Sequence, residues 1–353
     1  MEQLYYVGLD IHKRTINYCV KDPRGEIVGE GRIGASREDL EQWRKGLPQP
    51  WVGAMEATLF TGWIYDQLSE QGAQVKVADP SMLKAITASK KKNDQIDARK
   101  IADLLRCNLL PECYMGPREI RELRRILRYR QLLVRQCVQM KNRIAGFLME
   151  TGTVYEARRL HGRKYFQQML QDLEGAVPES VIGLLGLSRS TVELLRRMER
   201  QLIQGLVVQP SLEQRVHRLS SIPGVGVVTA LSWALEVGEP QRFRSVSQAV
   251  SYCGLCSAQI SSAEKNYRNP ISKKRNHHLQ HVLVEAAKLA PRWNPQLAAV
   301  HSQALERGNR NRATLAVARK LVAYLLAVDR SGKPFQMRAL SDVSQVRSDS
   351  QAA

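Results

Sequence analysis

The chain has 353 residues, enough for about two domains, and 43% of them are hydrophobic, enough to form buried cores. It carries a formal net charge of +19, with an isoelectric point near 9.9, and a basic surface of that size most often meets the phosphate backbone of nucleic acid. No stretch approaches 18 uncharged apolar residues and the N-terminus lacks the charged-then-apolar order of a signal peptide, which argues against a membrane partner; six scattered cysteines suit a reducing cytoplasm better than a disulfide scaffold.

That charge is unevenly spread. Residues 1–110 hold 16 Lys and Arg against 15 Asp and Glu, whereas the remainder holds 37 against 19. A near-neutral first domain is therefore expected to precede a strongly basic region.

The first 110 residues alternate strand and helix signals. "LYYVGLDIHK" is apolar and β-rich and contains one acid, Asp10. "TINYCVKD" and "EIVGEGRI" alternate apolar and polar residues around a "DPRG" turn, so three antiparallel strands are predicted. "SREDLEQWRKGL" opens like a capping box and reads as a helix. "WVGAMEA" is a short buried strand ending at Glu56, "TGWIYDQLSEQGA" a helix closed by Gly72, and "QVKVADP" another strand. A mostly polar helix begins near Gln95 and runs through "IDARKIADLLRC". The order β-β-β-α-β-α-β-α predicts a mixed sheet with helices on its faces.

Asp94 and Asp97, three apart on the last of these helices, share one face at about 5–6 Å. In this topology the first and fourth strands are neighbours, so Asp10 and Glu56 can converge on the same point. Four unpaired buried carboxylates would be prohibitively costly. Divalent cations with oxygen ligands remove that cost, and a two-metal site serves phosphoryl transfer; Mg²⁺ is the expected cofactor. Asp103, two turns beyond Asp97, reads as a solvated helix residue and as the weaker alternative ligand.

"VGLDIHK", "MEAT" and "KNDQIDARKIADLL" resemble the RuvC-like domain of the IS110-family (DEDD) transposases, to which the pilin-gene invertases are related. The resemblance implies an RNase H-like fold over residues 1–110, with Asp10, Glu56, Asp94 and Asp97 as an acidic tetrad.

Residues 111–210 are expected to be helical. "PREIRELRRILRYRQLLVRQCVQMKNRIAGFLMETG" is one long helix with apolar residues at Ile120, Leu123, Leu127, Val134, Cys137, Ile144 and Leu148, interrupted by Arg130 and Lys141. This is a coiled-coil-like seam with a basic outer face. A partner helix is expected at "STVELLRRMERQLIQGL", opened by a Ser190–Glu193 capping box. An intramolecular hairpin competes with a dimerisation arm that also binds nucleic acid, and the arm is preferred. Residues 151–188 show no clear organisation.

Residues 211–338 hold the second chemical region. "LSSIPGVGVVTALSWAL" resembles a helix-hairpin-helix, with Pro223, Gly224, Val225 and Gly226 as a turn whose amides could approach phosphate without base specificity. In "AVSYCGLCSAQISSAEKNYRNPISKKRNHHLQHVLVEAA" the pattern of the family's transposase domain aligns at Gly254-Leu255, at Ser272-Lys273 and at Asn276. Ser262 falls at the family's nucleophilic serine, although Ala263 follows it where the family has glycine, Cys256 stands where proline is common, and Ser261 is one residue away. Lys265, Arg268, Lys273, Lys274 and Arg275 could neutralise a phosphate under attack. Cys253 and Cys256 have thioredoxin-like spacing without a second pair, and His277, His278 and His281 offer zinc-like spacing without a completing ligand. Two amphipathic helices follow, and residues 339–353 are expected to be a disordered tail.

The resulting expectation is a cytoplasmic transposase that acts on donor and target DNA through a serine–phosphate intermediate. The resemblance also implies an element-encoded guide RNA of the bridge type and a homo-oligomer, dimer or tetramer. A hydrolytic, metal-dependent junction nuclease and a non-catalytic nucleic-acid scaffold are the competing readings.

Overall fold

Strands of alternating or wholly apolar character build the first of two compact units, Met1–Arg118. They are Tyr5–Ile11 (β1), Thr15–Lys21 (β2), Ile27–Gly34 (β3), Trp51–Glu56 (β4) and Gln74–Ala78 (β5), with helices Arg37–Lys45 (α1), Thr61–Ser69 (α2), Pro80–Thr87 (α3) and Asp94–Arg106 (α4). The computed structural model describes residues 3–70, 72–87, 94–262, 265–271 and 275–337, without the side chains of 85–87, 94 and 258–270. Lys273, Lys274 and the tail expected at 339–353 fall outside the described residues.

The sheet runs β3-β2-β1-β4-β5, antiparallel across the first three strands and parallel from β1 through β4 to β5. This is the mixed sheet expected from the element order, with α3 as an additional helix. Gly25, at φ 94°, supplies the left-handed position that closes the β2–β3 turn. The Ser36 hydroxyl accepts from the Asp39 N–H at 3.0 Å and caps α1. Asp39 in turn accepts from that hydroxyl at 2.6 Å, where a capping box would engage the Ser36 N–H.

Both faces of the sheet are covered. Val7, Leu9, Ile11 and Met55 pack with Leu40 of α1 and with Ile64 and Leu68 of α2. On the opposite face Val52, Ala54 and Ala78 meet Leu83 of α3 and Ile101 and Leu105 of α4, while Cys19 meets Ala98 and Ala102. A Cβ on Gly8 would lie 2.1 Å from the Ala98 carbonyl oxygen and 2.5 Å from the Ala102 nitrogen. Only glycine lets α4 rest directly on β1 there.

The described residues of the second unit, Glu119–Ala353, are helical apart from one hairpin. Its helices are Arg118–Glu150 (α5, whose first residue belongs to the first unit), Arg163–Leu173 (α6), Glu179–Val207 (α7), Pro210–Ser220 (α8), Val227–Val237 (α9), Val246–Tyr252 (α10), His277–Leu289 (α11), Pro295–Glu306 (α12) and Arg310–Ser331 (α13). The hairpin comprises Ser257–Ser262 (β6) and Lys265–Ile271 (β7). Asn276, Asn294 and Asn309 cap α11, α12 and α13 with their side-chain oxygens. The larger core gathers α8 to α13 around Trp233, Leu283, Leu321 and Leu325, together with Leu123 and Leu127 of α5 and Leu206 of α7.

Two expectations for the helical arm are corrected. The buried seam of α5 passes through Leu133, not Val134, which is only partly covered. Cys137, Ile144 and Leu148 of that seam are buried against Phe166, Met169 and Leu173 of α6 and Leu185 and Val192 of α7, so the chain covers this half of the seam by itself. Ser190 lies inside α7, where its hydroxyl donates to the Gly186 carbonyl at 3.1 Å and caps nothing. Arg130, the charge that interrupts the seam, pairs with Glu199 of α7.

Candidate active site

The acids of the first unit follow from strand alternation. Positions 7, 9 and 11 of β1 enter the core with α1 and α2, so Gly8 and Asp10 belong to the face that α4 covers. Val52 and Ala54 of β4 are on that same face, and Glu56 continues their alternation. The parallel register pairs Leu9 with Met55, which makes Asp10 and Glu56 the next neighbours at the C-terminal ends of the two central strands. Ligands bind at such strand ends in open α/β sheets.

α4 supplies the third acid. Ala98, Ile101, Ala102 and Leu105 are its buried stripe. Asp97 stands one residue before Ala98, whose carbonyl meets Gly8, two residues before Asp10. Asp94 is the first residue of α4, one turn before Ala98, and its side chain is outside the described residues. Asp97 is held by Lys100 at 3.5 Å. Asp103, the weaker alternative ligand, is committed elsewhere: both of its carboxylate oxygens accept from Lys21, at 2.7 and 2.8 Å.

Two neighbours of Asp10 escaped the sequence reading. His12 Nε2 lies 3.0 Å from the Asp10 carboxylate; its position two residues along the strand was the available signal. Asn17 sits directly opposite Asp10 on β2. It is 4% exposed, and its side-chain nitrogen has no hydrogen-bond partner among the described residues. A buried amide donor left free beside a carboxylate is costly unless a ligand or solvent meets it. Cross-strand register, which a single sequence does not display, is what finds it.

The second unit places Ser262 as the last residue of β6, opposite Lys265, and Ser261 opposite Asn266, with Gln259 opposite Arg268. Ser262 therefore stands at the tip of a two-stranded hairpin. Successive strand positions occupy opposite faces, so Ser262 shares a face with Lys265 and Ser261 does not. The base of the hairpin is anchored. Gly254 has φ 67° and a Cβ on it would lie 2.3 Å from the Arg275 Cβ. The Gly254 carbonyl accepts from Gln280 at 2.5 Å, and the Leu255 carbonyl accepts from Arg319 at 2.8 Å. Arg275 itself is exposed.

At the start of α11 is a buried ion network that the sequence did not reveal. Glu236, 1% exposed, accepts two 2.8 Å hydrogen bonds from the Arg128 fork and one, also 2.8 Å, from Asn276. Burial alone would raise the Glu236 carboxyl, but the Arg128 and Asn276 hydrogen bonds and the nearby Arg124 hold it below the usual carboxylate range. Asn276, noted from sequence as part of the basic segment, thus ties the start of α11 to α9 while capping α11.

Helices α8 and α9 flank the Pro223–Gly226 turn, in the helix–turn–helix order expected. Gly224 has φ 94°, and a Cβ there would lie 2.6 Å from Ala290 Cβ, so close packing fixes this glycine; Gly226 faces open space. Both border a cavity of about 610 Å³ that also meets Arg130, Arg135, His277, His278 and His281. His278 Nδ1 is bonded to Gln131, and burial, His277 and Arg128 push its pKa down to about 4. Among the described residues no three His, Cys, Asp or Glu side chains already form a metal-holding group, in the histidine cluster or elsewhere. Cys253 and Cys256 are free thiols, the first buried.

A mixed five-stranded sheet with acids at its central strand ends and on the helix that covers it, followed by a helical region, is an α/β-plus-helical architecture, and the comparisons identify its class. A transposase model of the DEDD IS110 type matches residues 7–153, and the model of the transposase IS116/IS110/IS902 family matches residues 216–302. The chain is similar to the transposase for insertion sequence element IS1328 of Yersinia enterocolitica, 25% identical over 95% of this chain and 99% of the relative. It is also similar to the transposase for insertion sequence element IS1111A of Coxiella burnetii, 26% identical over 93% and 90%. The chain belongs to the IS110 family of insertion-sequence transposases and is a DNA transposase. Membership implies a divalent-metal requirement; Asp10, Glu56 and Asp97 are oxygen donors of the kind a hard cation takes, but among the described residues no three such side chains are gathered into a metal-holding group. Among the described residues no helix is long and apolar enough to cross a membrane.

Proposed function

We propose that the chain cuts and rejoins DNA strands through Ser262, assisted by Asp10, Glu56, Asp94 and Asp97, with a guide RNA selecting donor and target DNA. The observation that carries the acidic half is the register of β1 with β4, which puts Asp10 and Glu56 side by side under the N-terminal turn of α4. Mg²⁺ bound by these carboxylates would stabilise charge on the phosphate oxygens. The Ser262 hydroxyl attacks a DNA phosphorus, its proton is released, an Oγ–P bond forms and the departing DNA oxygen leaves as a hydroxyl. One phosphodiester is exchanged for another, so no further reactant is consumed. Lys265, opposite Ser262, and Arg268, Lys273, Lys274 and Arg275 neutralise the phosphate. Gly224 and Gly226 present backbone amides to a DNA or RNA strand. Rejoining four strand ends requires at least two copies of the serine, hence a homodimer or homotetramer, working in the cytoplasm.

One observation favours the hydrolytic alternative: the acids lie in the first unit and the serine in the second. A trapped protein–DNA adduct separates the two readings. In Mg²⁺, Asp97→Asn should abolish strand exchange while binding persists. Ser262→Ala should eliminate the adduct and Ser261→Ala should retain it. Loss of the adduct with Ser261→Ala alone shifts the nucleophile by one residue, and the absence of any adduct in the native chain makes water the nucleophile.

A further inference from the structure

The groove between α6 and α7 is lined by Arg163, Arg189, Arg196, Arg197 and Arg200, with Glu193 as its one acid, and has a volume of about 580 Å³. Arg189 is spent internally: it pairs with Glu193 at 2.8 Å, donates to the His161 carbonyl at 2.9 Å and stacks over Phe166. The other four guanidinium groups have no carboxylate partner among the described residues. Four like charges gathered in one groove repel each other, and burial together with Lys141, Arg196 and Arg189 holds the neighbouring His161 below the usual histidine value. Nothing in the packing of α6 on α7 requires them, because Phe166, Met169, Leu173, Leu185 and Val192 form the core beneath.

We propose that this groove binds the phosphate backbone of nucleic acid, as a site separate from the Ser262 hairpin and the helix-hairpin-helix turn. Arg196, Arg197 and Arg200 form one stripe along α7, and Arg163 of α6 lines the same groove. At 1.5 Å per residue positions 196–200 span about 6 Å, and a strand with one phosphate per 3.4 Å of duplex axis offers about two adjacent phosphates over that length. A free phosphate would engage one or two forks; a polyanion engages the whole stripe. Arginine rather than lysine suits the task, since each planar fork can grip two phosphate oxygens. DNA and RNA present the same chemistry here, and the assay distinguishes them.

The inference rests only on the chain acting on nucleic acid, so the test removes the chemistry. Every protein carries Ser262→Ala and no divalent metal is added. Binding of a fluorescein-labelled 30-base-pair DNA duplex and a 30-base-pair RNA duplex is measured from 50 to 200 mM salt. Arg196→Gln, Arg197→Gln and Arg200→Gln together should lower the slope of log affinity against log salt by about two for the duplex that occupies the groove. The Arg→Lys triple, which keeps the charges, should retain the slope and lose only part of the affinity. A reduced slope on DNA alone, RNA alone or both identifies the occupant and supports the site; an unchanged slope on both overturns it. If the glutamine variant melts below the parent, phenylglyoxal modification of the parent replaces it. Arg163, Arg196, Arg197 and Arg200 should then be protected by the bound duplex, and undiminished modification overturns the proposal.

Discussion

Gly8→Ala tests how packing sets the acidic site. The added Cβ would stand 2.1 Å from the Ala98 carbonyl oxygen, 2.5 Å from the Ala102 nitrogen and 3.1 Å from the Ala102 Cα. All three are backbone atoms, so no side-chain rotation relieves the contact, and a normal carbon–oxygen separation needs α4 to retreat by about 1 Å. Overpacking of this kind costs typically about 1–3 kcal/mol, and a backbone-on-backbone clash belongs at the upper end. For a unit of this size that lowers the melting temperature by about 10 °C. Asp97, beside Ala98, retreats with the helix, while Asp10 and Glu56 stay on the sheet. A displacement of about 1 Å at a catalytic group costs about 100-fold in rate. The assays are thermal unfolding and strand exchange on DNA carrying the element's ends, in Mg²⁺. Gly146→Ala is the control: it lies inside α5 with no atom within 4 Å of the new Cβ, and should be neutral or stabilise by up to about 1 kcal/mol. If Gly8→Ala melts within 2 °C of the parent (about the resolution of the method) and exchanges strands at the parental rate, the contact of α4 with β1 does not position the acids.

Arg128→Ala should destabilise the second unit by about 3 kcal/mol, the lower end for leaving one member of a buried pair uncompensated, because Arg124 and Asn276 remain beside Glu236; denaturant unfolding measures it, and a change below 1 kcal/mol (about the worth of an exposed pair) would show the network to be unimportant. His278, with its pKa near 4, should stay neutral throughout pH 5–8, visible as an imidazole NMR signal that does not titrate in that range. The folded value lies below the unfolded one near 6.5, so the unfolded chain binds more protons between the two. The stability contributed by neutral His278 is therefore present above about pH 6.5 and is lost as pH falls towards 4, and His278→Ala should flatten that part of the stability curve.

Much of the first unit was legible in the sequence because its signals are local. Period-two alternation marks β1 to β3, the apolar "WVGAM" run marks β4, and "DPRG" and Ser36 mark a turn and a helix start. The acids stood out because Asp10 interrupts an apolar strand and Asp97 belongs to a short, recognisable run. The charge asymmetry likewise separated a near-neutral unit from a basic one. What only tertiary structure decided depends on which residues meet across the chain. Strand register put Asn17 opposite Asp10 and left its amide unsatisfied. The folding of α6 and α7 onto α5 took a seam that could have met a second chain and buried half of it internally. Hairpin register, not the serine's polar neighbours, put Ser262 opposite Lys265. Residues 108 apart in the chain, Arg128 and Glu236, formed the buried ion pair between α5 and α9. A sequence carries the periodicity of each element because neighbours i, i+2 and i+4 share its geometry. It does not carry the distance between elements, and burial, pairing and charge compensation are all functions of that distance.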